Sequence, residues 1–306
     1  MPQGSAWLEV KKRIAPQHRR LIKGHRDLFW YYVSERWNIY ERRESGREFP
    51  WTKDPILRDY HFTNVSRFFD KGTGRLLFLL ADSTDDLMNL QDAIWWVVQY
   101  RWPNYHTLYE DYGWIPHNFN RKRWLRRIER TKEKHGKWHT SAHIVLQSNF
   151  KQTRAENFLY YLGLLDDSFD DFCDGILDAP NMETAFRHVI KYKGFGGFTA
   201  YEILVDLCYI GLLPDEFRDQ FANAGPGCRE GIDLIYPNRT HMGYTVAMEH
   251  LRDTQGRAFK RLGLQSPPRL LLQDIEFCLC EFSKYVKILH GTGKRRKYVY
   301  VSKEKS

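Results

Sequence analysis

Lys193-Gly194-Phe195-Gly196-Gly197-Phe198-Thr199-Ala200 is the stretch on which the reading of this chain turns. Ala185, Val189 and Ile190 before it, and Ala200, Ile203, Leu204 and Leu207 after it, recur at helical spacing. Two helices joined by a hairpin are therefore expected over 183–210. The glycines permit a tight turn and close backbone approach. The second helix starts inside the stretch, so its first N–H groups lack intrahelical acceptors and its positive dipole end faces outward, a seat for an anion. This is the pattern of a helix-hairpin-helix, which holds a nucleic-acid phosphate on backbone amides; the plain alternative is a Gly-rich turn between two core helices. Gly194, Gly196, Gly197 and Thr199 are thus candidate DNA contacts.

Basic residues gather around this element. The formal charge is +9 over 306 residues, which suits a polyanionic partner. Arg121, Lys122, Arg123, Arg126, Arg127, Arg130, Lys132, Lys134 and Lys137 crowd one stretch against only Glu129 and Glu133, and further clusters lie at 11–26 and 294–297. Any one cluster reads equally well as a solvated helix face or basic tail. Three of them beside a hairpin favour DNA, with Arg123, Arg126 and Arg127 as candidate contacts.

The five cysteines are odd in number and irregularly spaced, which fits free thiols in a reducing compartment. Cys278 and Cys280 are too close for a usual zinc pair, and His139 with His143 lacks a carboxylate in the same motif, so no metal is expected. The run Asp166, Asp167, Asp170, Asp171, Asp174 and Asp178 lacks the alternation and terminal Glu of a calcium loop and reads as an acidic helix face. No cofactor is expected. No segment approaches the length that crosses a bilayer, so no membrane partner is expected and the protein is read as soluble and intracellular, with DNA: host cytoplasm if phage-encoded, nucleus if eukaryotic.

Helical patterns dominate, over 25–43, 84–100, 121–135, 154–164, 183–192, 198–210, 229–235, 243–261 and 270–289. Strand signals are few, and no Pro/Ser/Gly-rich linker interrupts the chain. The expectation is an all-α protein in a single compact domain over 1–306, with a basic C-terminal tail at 291–306.

A second anion seat is suggested by Ala224-Gly225-Pro226-Gly227-Cys228-Arg229-Glu230-Gly231. Two glycines flank a proline just before a helical pattern, so several N–H groups could converge on a phosphate beside Arg229; an interhelical turn is the alternative. On the last long helix, Asp274 and Glu281 lie seven residues apart, hence on nearly one face about 10 Å apart along the axis. Carboxylates bordering an apolar stripe either pair with basic groups, Lys284 being the local partner of Glu281, or face a pocket where their pKa shifts toward a catalytic value.

Together these pieces resemble the α-glutamyl/putrescinyl thymine pyrophosphorylase family, thymine-hypermodification enzymes related to the helical domain found with 5-hydroxymethyluracil DNA kinases. The resemblance runs nearly end to end. It is carried by Phe49-Pro50-Trp51-Thr52-Lys53-Asp54-Pro55-Ile56-Leu57, by Phe62-Thr63-Asn64-Val65 with Arg67, Asp70 and Thr73, by the Gly194-Phe195-Gly196 hairpin, by Gly225 to Gly231, and by Gln273 to Tyr285.

The resemblance implies a helical fold similar to helix-hairpin-helix DNA glycosylases. It further implies replacement of pyrophosphate, on a pyrophosphorylated 5-hydroxymethyluracil in DNA, by an amine such as putrescine or an amino acid. Departing pyrophosphate needs cationic and N–H donors, the attacking amine needs a carboxylate to orient it and take its proton, and the base must be flipped out. Arg229 with Gly225 and Gly227 is the candidate for the first role, and Asp274 or Glu281 for the second. Asn64, Arg67, Cys228 and Lys284 are further pocket candidates, with capping or bracing as the alternative for Asn64 and Arg67. Trp51 is a candidate for stacking on a base or for the core. A glycosylase acting on a modified thymine, with Asp219 as its carboxylate, and a non-catalytic DNA reader are the competing readings.

Overall fold

The computed structural model describes residues 12, 14, 20, 22–81, 89–140, 153–239, 242–293 and 297. Among them are fourteen α-helices: α1 (His25–Glu44), α2 (Pro55–Asp59), α3 (Lys71–Ala81), α4 (Leu90–Arg101), α5 (Thr107–Glu110), α6 (Arg121–His135), α7 (Arg154–Asp166), α8 (Phe169–Leu177), α9 (Met182–Val189), α10 (Gly197–Tyr209), α11 (Phe217–Gln220), α12 (Pro226–Ile235), α13 (Tyr244–Leu262) and α14 (Leu272–Leu289). Among the described residues no strand forms beyond an isolated bridge between Tyr60 and Lys297, and the all-α expectation holds. None of these helices is long and apolar enough to cross a membrane. The basic tail expected at 291–306, the clusters at 11–26 and 294–297, the start of the helix expected at 84–100, and His143 lie wholly or largely outside the described residues.

Local chemistry sets the helix starts. Asn120 accepts Arg123 N–H at 2.9 Å to open α6, and Gly136 at φ 72° closes it. Thr153 and Glu156 cap α7 reciprocally, and Asn181 opens α9 through Thr184 N–H. By contrast α10, α12 and α13 begin at Gly196, Gly225 and Gly243, N-caps that have no side chain to offer the first-turn donors.

The chain divides into two compact units, one of Met1–Phe69 with Ala224–Ser306 and one of Asp70–Asn223, where the sequence reading expects one. Neither crossing carries a linker: Asp70 runs directly from a 3-10 turn at Arg67–Phe69 into α3, and Ala224 stands two residues before α12. Composition therefore gives no boundary signal.

In the first unit, α12 and α14 approach closely at small residues. A Cβ on Gly231 would lie 2.4 Å from the Leu279 carbonyl oxygen, and one on Gly227 2.7 Å from Cys280 Sγ. Four residues apart, the two glycines share a helical face and let the second backbone in. α1 lays Phe29 on Phe282 at 5.4 Å, Tyr32 on Tyr285 at 5.3 Å and Trp30 on Phe259 at 5.1 Å between ring centroids.

The second unit packs around Trp95, Trp102, Trp124 and Phe158, all buried. Phe158 takes the edges of Trp102 and Trp124 at 6.1 and 5.1 Å. Within this apolar core Arg101 grips Asp206 through two nitrogens, the second at 2.7 Å, and also donates to Thr73 Oγ1 at 2.9 Å. Both charges are essentially inaccessible to water, at 1% and 0% side-chain exposure.

Candidate functional site

In the second unit, α9 and α10 are joined by a short Gly-rich turn before Gly197. Gly194 sits at φ +94°, where an L side chain is strained, and a Cβ there would also meet the Tyr161 ring at 2.9 Å. Phe195 turns inward against Trp102 and Phe172 at 5.0 and 5.2 Å and pins the turn to the core. Gly196 is exposed, with open space around its missing Cβ, and it precedes the first turn of α10. The first helical bond there is Ala200 N–H to Gly196 O, so the N–H groups of Gly197, Phe198 and Thr199 come before that ladder and point out of the helix end. A Cβ on Gly197 would meet Asn223 Nδ2 at 2.9 Å.

Two of the DNA-contact expectations change here. The Thr199 side chain is buried at 5% exposure, because it faces the apolar side of α10, so only its backbone amide remains for an anion. Arg127 is buried at 8% exposure. Its guanidinium donates to the carbonyls of Gly113, Tyr112 (3.0 Å) and Leu108 (3.4 Å), satisfying the end of α5 and its following turn. Burial and the neighbouring Arg123 charge lower its pKa, burial most. Arg123 and Arg126, on the same helix, are exposed.

In the first unit, the Gly225-Pro226-Gly227 turn opens α12, and its first helical bond is Arg229 N–H to Gly225 O at 2.9 Å. The N–H groups of Gly227 and Cys228 stand before it. Arg229 is exposed; its Nε donates to Ala224 O at 2.7 Å, and its guanidinium lies 5.2 Å from the Tyr244 ring centroid. Cys228 differs from its expected role: its thiol is fully buried, donates to Met248 Sδ at 3.6 Å and is pushed well up in pKa by burial, so only its amide faces the turn. Gly227 serves first as an approach point for α14.

Asp274 and Glu281 share a face of α14, as their spacing requires, but that face meets backbone. Asp274 Oδ1 accepts Arg67 N–H at 2.8 Å and Oδ2 accepts Leu271 N–H at 3.1 Å. Glu281 Oε2 accepts Thr63 N–H at 3.2 Å while Oε1 holds Lys284 Nζ at 2.6 Å. The two carboxylates thereby clamp the 62–67 segment to α14, with Cys278 Sγ donating to Val65 O between them at 3.3 Å. Asn64 is buried and caps its own neighbour, Val65 N–H, at 2.7 Å. Arg67 is buried with its guanidinium 5.2 Å from the Phe277 ring centroid. For Asn64 and Arg67 the bracing alternative describes what is observed. Asp219, in the second unit, begins bonding at its backbone to Glu216 O, within the short α11.

Sequence reasoning passed over Asp54. Its Oδ1 caps α2 through the N–H groups of Ile56 and Leu57 at 2.9 and 3.0 Å, and its Oδ2 takes the Tyr285 hydroxyl at 2.8 Å. Complete burial, the largest influence, raises its pKa to about 6 against those bonds and one from Tyr31. The Asp-Pro step before a short helix was its available signal. Arg101 and Asp206 were also missed; the signal was an acid inside the apolar run Ile203-Leu204-Val205-Asp206-Leu207.

An all-helical protein with glycine-opened helix starts and a clamped carboxylate pair is thus on hand. The model for the family described as "5-hmdU DNA kinase, helical domain" matches residues 23–295, nearly the whole chain, and the chain belongs to that family. It is also similar to a 5-hmdU DNA kinase of Bacillus phage SP10, 27% identical over 288 residues, which are 85% of this chain and 44% of the relative. The chain thus spans less than half the length of that curated relative. No solved structure matches it.

Proposed function

We propose that the chain is a DNA base-modifying domain of thymine hypermodification, and that it exchanges pyrophosphate for an amine on a pyrophosphorylated 5-hydroxymethyluracil in DNA. Membership in the 5-hmdU DNA kinase helical-domain family over 23–295 carries the pathway; the motif order from Phe49 to Tyr285 carries the choice of reaction. In that reaction the amine nitrogen forms a bond to the exocyclic carbon of the base. The carbon–oxygen bond to pyrophosphate breaks with its electron pair, and the nitrogen loses one proton to a base. The open amides of Gly227 and Cys228 with the exposed Arg229 suit the leaving anion. Glu281 suits the amine, since its carboxylate already holds one ammonium, that of Lys284, at 2.6 Å. Asp274, with both oxygens on backbone amides, is the weaker candidate for base. The α9–α10 hairpin with Arg123 and Arg126 is the proposed grip on the DNA backbone, in the manner of a helix-hairpin-helix.

The name of the phage relative favours a second reading, phosphorylation of 5-hydroxymethyluracil itself. Phosphoryl transfer needs a donor nucleotide held by its phosphates, and these 306 residues contain no Gly-x-x-x-x-Gly-Lys-Ser/Thr loop, so another arrangement would have to hold it. One experiment separates the readings. DNA containing 5-hydroxymethyluracil is incubated with ATP, and DNA containing its pyrophosphorylated form with mixed amines, and the digested nucleosides are weighed by mass spectrometry. An amine adduct supports exchange, and a phosphate adduct supports the kinase reading. Free base points to excision, and unchanged DNA in both arms leaves only a reader and sinks the proposal.

A further inference from the structure

The first unit holds a pocket whose arginines none of the roles above uses. It is bounded by the second half of α1, the 49–52 loop, α2 and residues 60–62, and has an interior of about 50 Å³ that opens to solvent. Its walls combine Arg36, Arg43 and Arg58 with Phe49, Trp51 and Phe62, and no carboxylate lines it among the described residues.

The framework is fixed. Phe49 and Trp51 meet edge to face at 5.4 Å and 88°. Trp51 Nε1 donates to Arg47 O at 2.7 Å, and Trp51 O accepts from Arg42 at 2.5 Å. Arg36 Nε donates to Phe62 O at 3.2 Å, which orients its guanidinium. Glu35, next to Arg36 in sequence, is occupied by Arg42 at 3.0 Å and Thr52 Oγ1 at 2.6 Å. Arg43 and Arg58 pair with their chain neighbours Glu44 and Asp59, at largely exposed positions, where such pairs hold little energy and yield to a better anion. Arginine gives a planar, bidentate match to phosphate, and aromatic walls stack any nucleobase.

We infer that this pocket binds a nucleotide, a pyrimidine ring against Phe49 and Trp51 with its phosphate on Arg43 and Arg58. The inference deepens the function proposed above by supplying the receptacle for the reacting nucleotide. The same chemistry has two sources, a free nucleoside phosphate and a nucleotide extruded from DNA.

The test measures binding of 5-hydroxymethyl-dUMP by calorimetry, and binding of a duplex carrying one 5-hydroxymethyluracil with an adjacent 2-aminopurine whose fluorescence rises on extrusion. Both are run on the whole chain and on Arg43→Gln/Arg58→Gln and Trp51→Leu, with melting curves to verify folding and Trp51→Phe as a ring-preserving companion. Folded Arg43→Gln/Arg58→Gln should lose tenfold or more in at least one arm, and Trp51→Phe should lose less than Trp51→Leu. Loss in the free arm alone identifies a free nucleotide, and loss of the fluorescence rise identifies an extruded one. Unchanged binding in both arms, or no binding by the parent in either, overturns the assignment. Conversion of modified DNA is assayed in parallel: a parent that converts DNA while failing both arms sinks the pocket and keeps the function, and one that binds through these residues without converting DNA does the reverse.

Discussion

Replacing Asp54 by Asn should remove a pH dependence from the stability of the first unit. The carboxyl is wholly buried and its pKa is held at about 6, against 3.8 for a free aspartate. Between those values the folded chain keeps a proton that the unfolded chain has released, so stability falls as pH rises through the window and is level on either side. The difference of roughly two pH units is worth about 3 kcal/mol, with a steepest slope of about 1.4 kcal/mol per pH unit. Asn keeps the Oδ1 acceptor for Ile56 and Leu57 N–H, and the Tyr285 hydroxyl can reverse to accept from the amide. Urea unfolding followed by tryptophan fluorescence at intervals from pH 4 to 7.5 gives the comparison. The stability of D54N relative to the parent should improve by about 3 kcal/mol across the range, and Tyr285→Phe, which deletes a donor to the carboxylate, should move the parent's transition to higher pH. Parallel pH profiles for parent and D54N would refute the argument that a buried, partly protonated carboxyl sits there.

Gly231→Ala places a methyl 2.4 Å from Leu279 O and should cost about 1–3 kcal/mol, whereas Gly256→Ala, in open space within α13, should stabilise by about 0.5–1 kcal/mol; thermal melts of both check the α12–α14 contact. Asp206→Asn should cost about 3–5 kcal/mol by stranding the buried Arg101 charge, and Arg101→Met/Asp206→Leu should recover much of it, as denaturant titration of the pair will show. Gly196→Val meets no neighbouring atom and should fold, yet weaken DNA binding at moderate salt by crowding the α10 amides; anisotropy equal to the parent's would dismiss the hairpin grip. Glu281→Gln should leave DNA affinity intact and slow amine transfer by a factor of about a hundred or more, while Asp274→Asn should chiefly lower stability. Single-turnover rates beside melting temperatures separate those two outcomes.

How much of this was legible in the sequence follows from the range of each signal. Long amphipathic or strongly capped helices were found, α6 at both ends, because Asn120 and Gly136 announce themselves locally. α3 was missed because Gly72 and Gly74 occupy its first turn, and α2, α5 and α11 because four or five residues carry no period. At the sites, spacing correctly put Asp274 and Glu281 on one face but could not reveal that residues 62–67, more than two hundred positions earlier, would lie against it. Arg127 looked like its neighbours in a basic run; only the fold shows that the carbonyls ending α5 claim its charge. The glycines of 225–231 satisfied two explanations at once, anion seat and backbone approach, and sequence has no means of ranking them.

The first unit takes its residues from both ends of the chain, with 70–223 lying between them in sequence. On the ribosome, α1 therefore emerges long before Phe259, Phe282 and Tyr285, the rings that cover its Trp30, Phe29 and Tyr32. At 5–20 residues per second the wait is roughly 10–50 s, ample time for the contiguous 70–223 segment to fold first. During that interval Phe29 and Trp30 await the rings that cover them, so slowing translation ahead of residue 259 should lengthen their exposure.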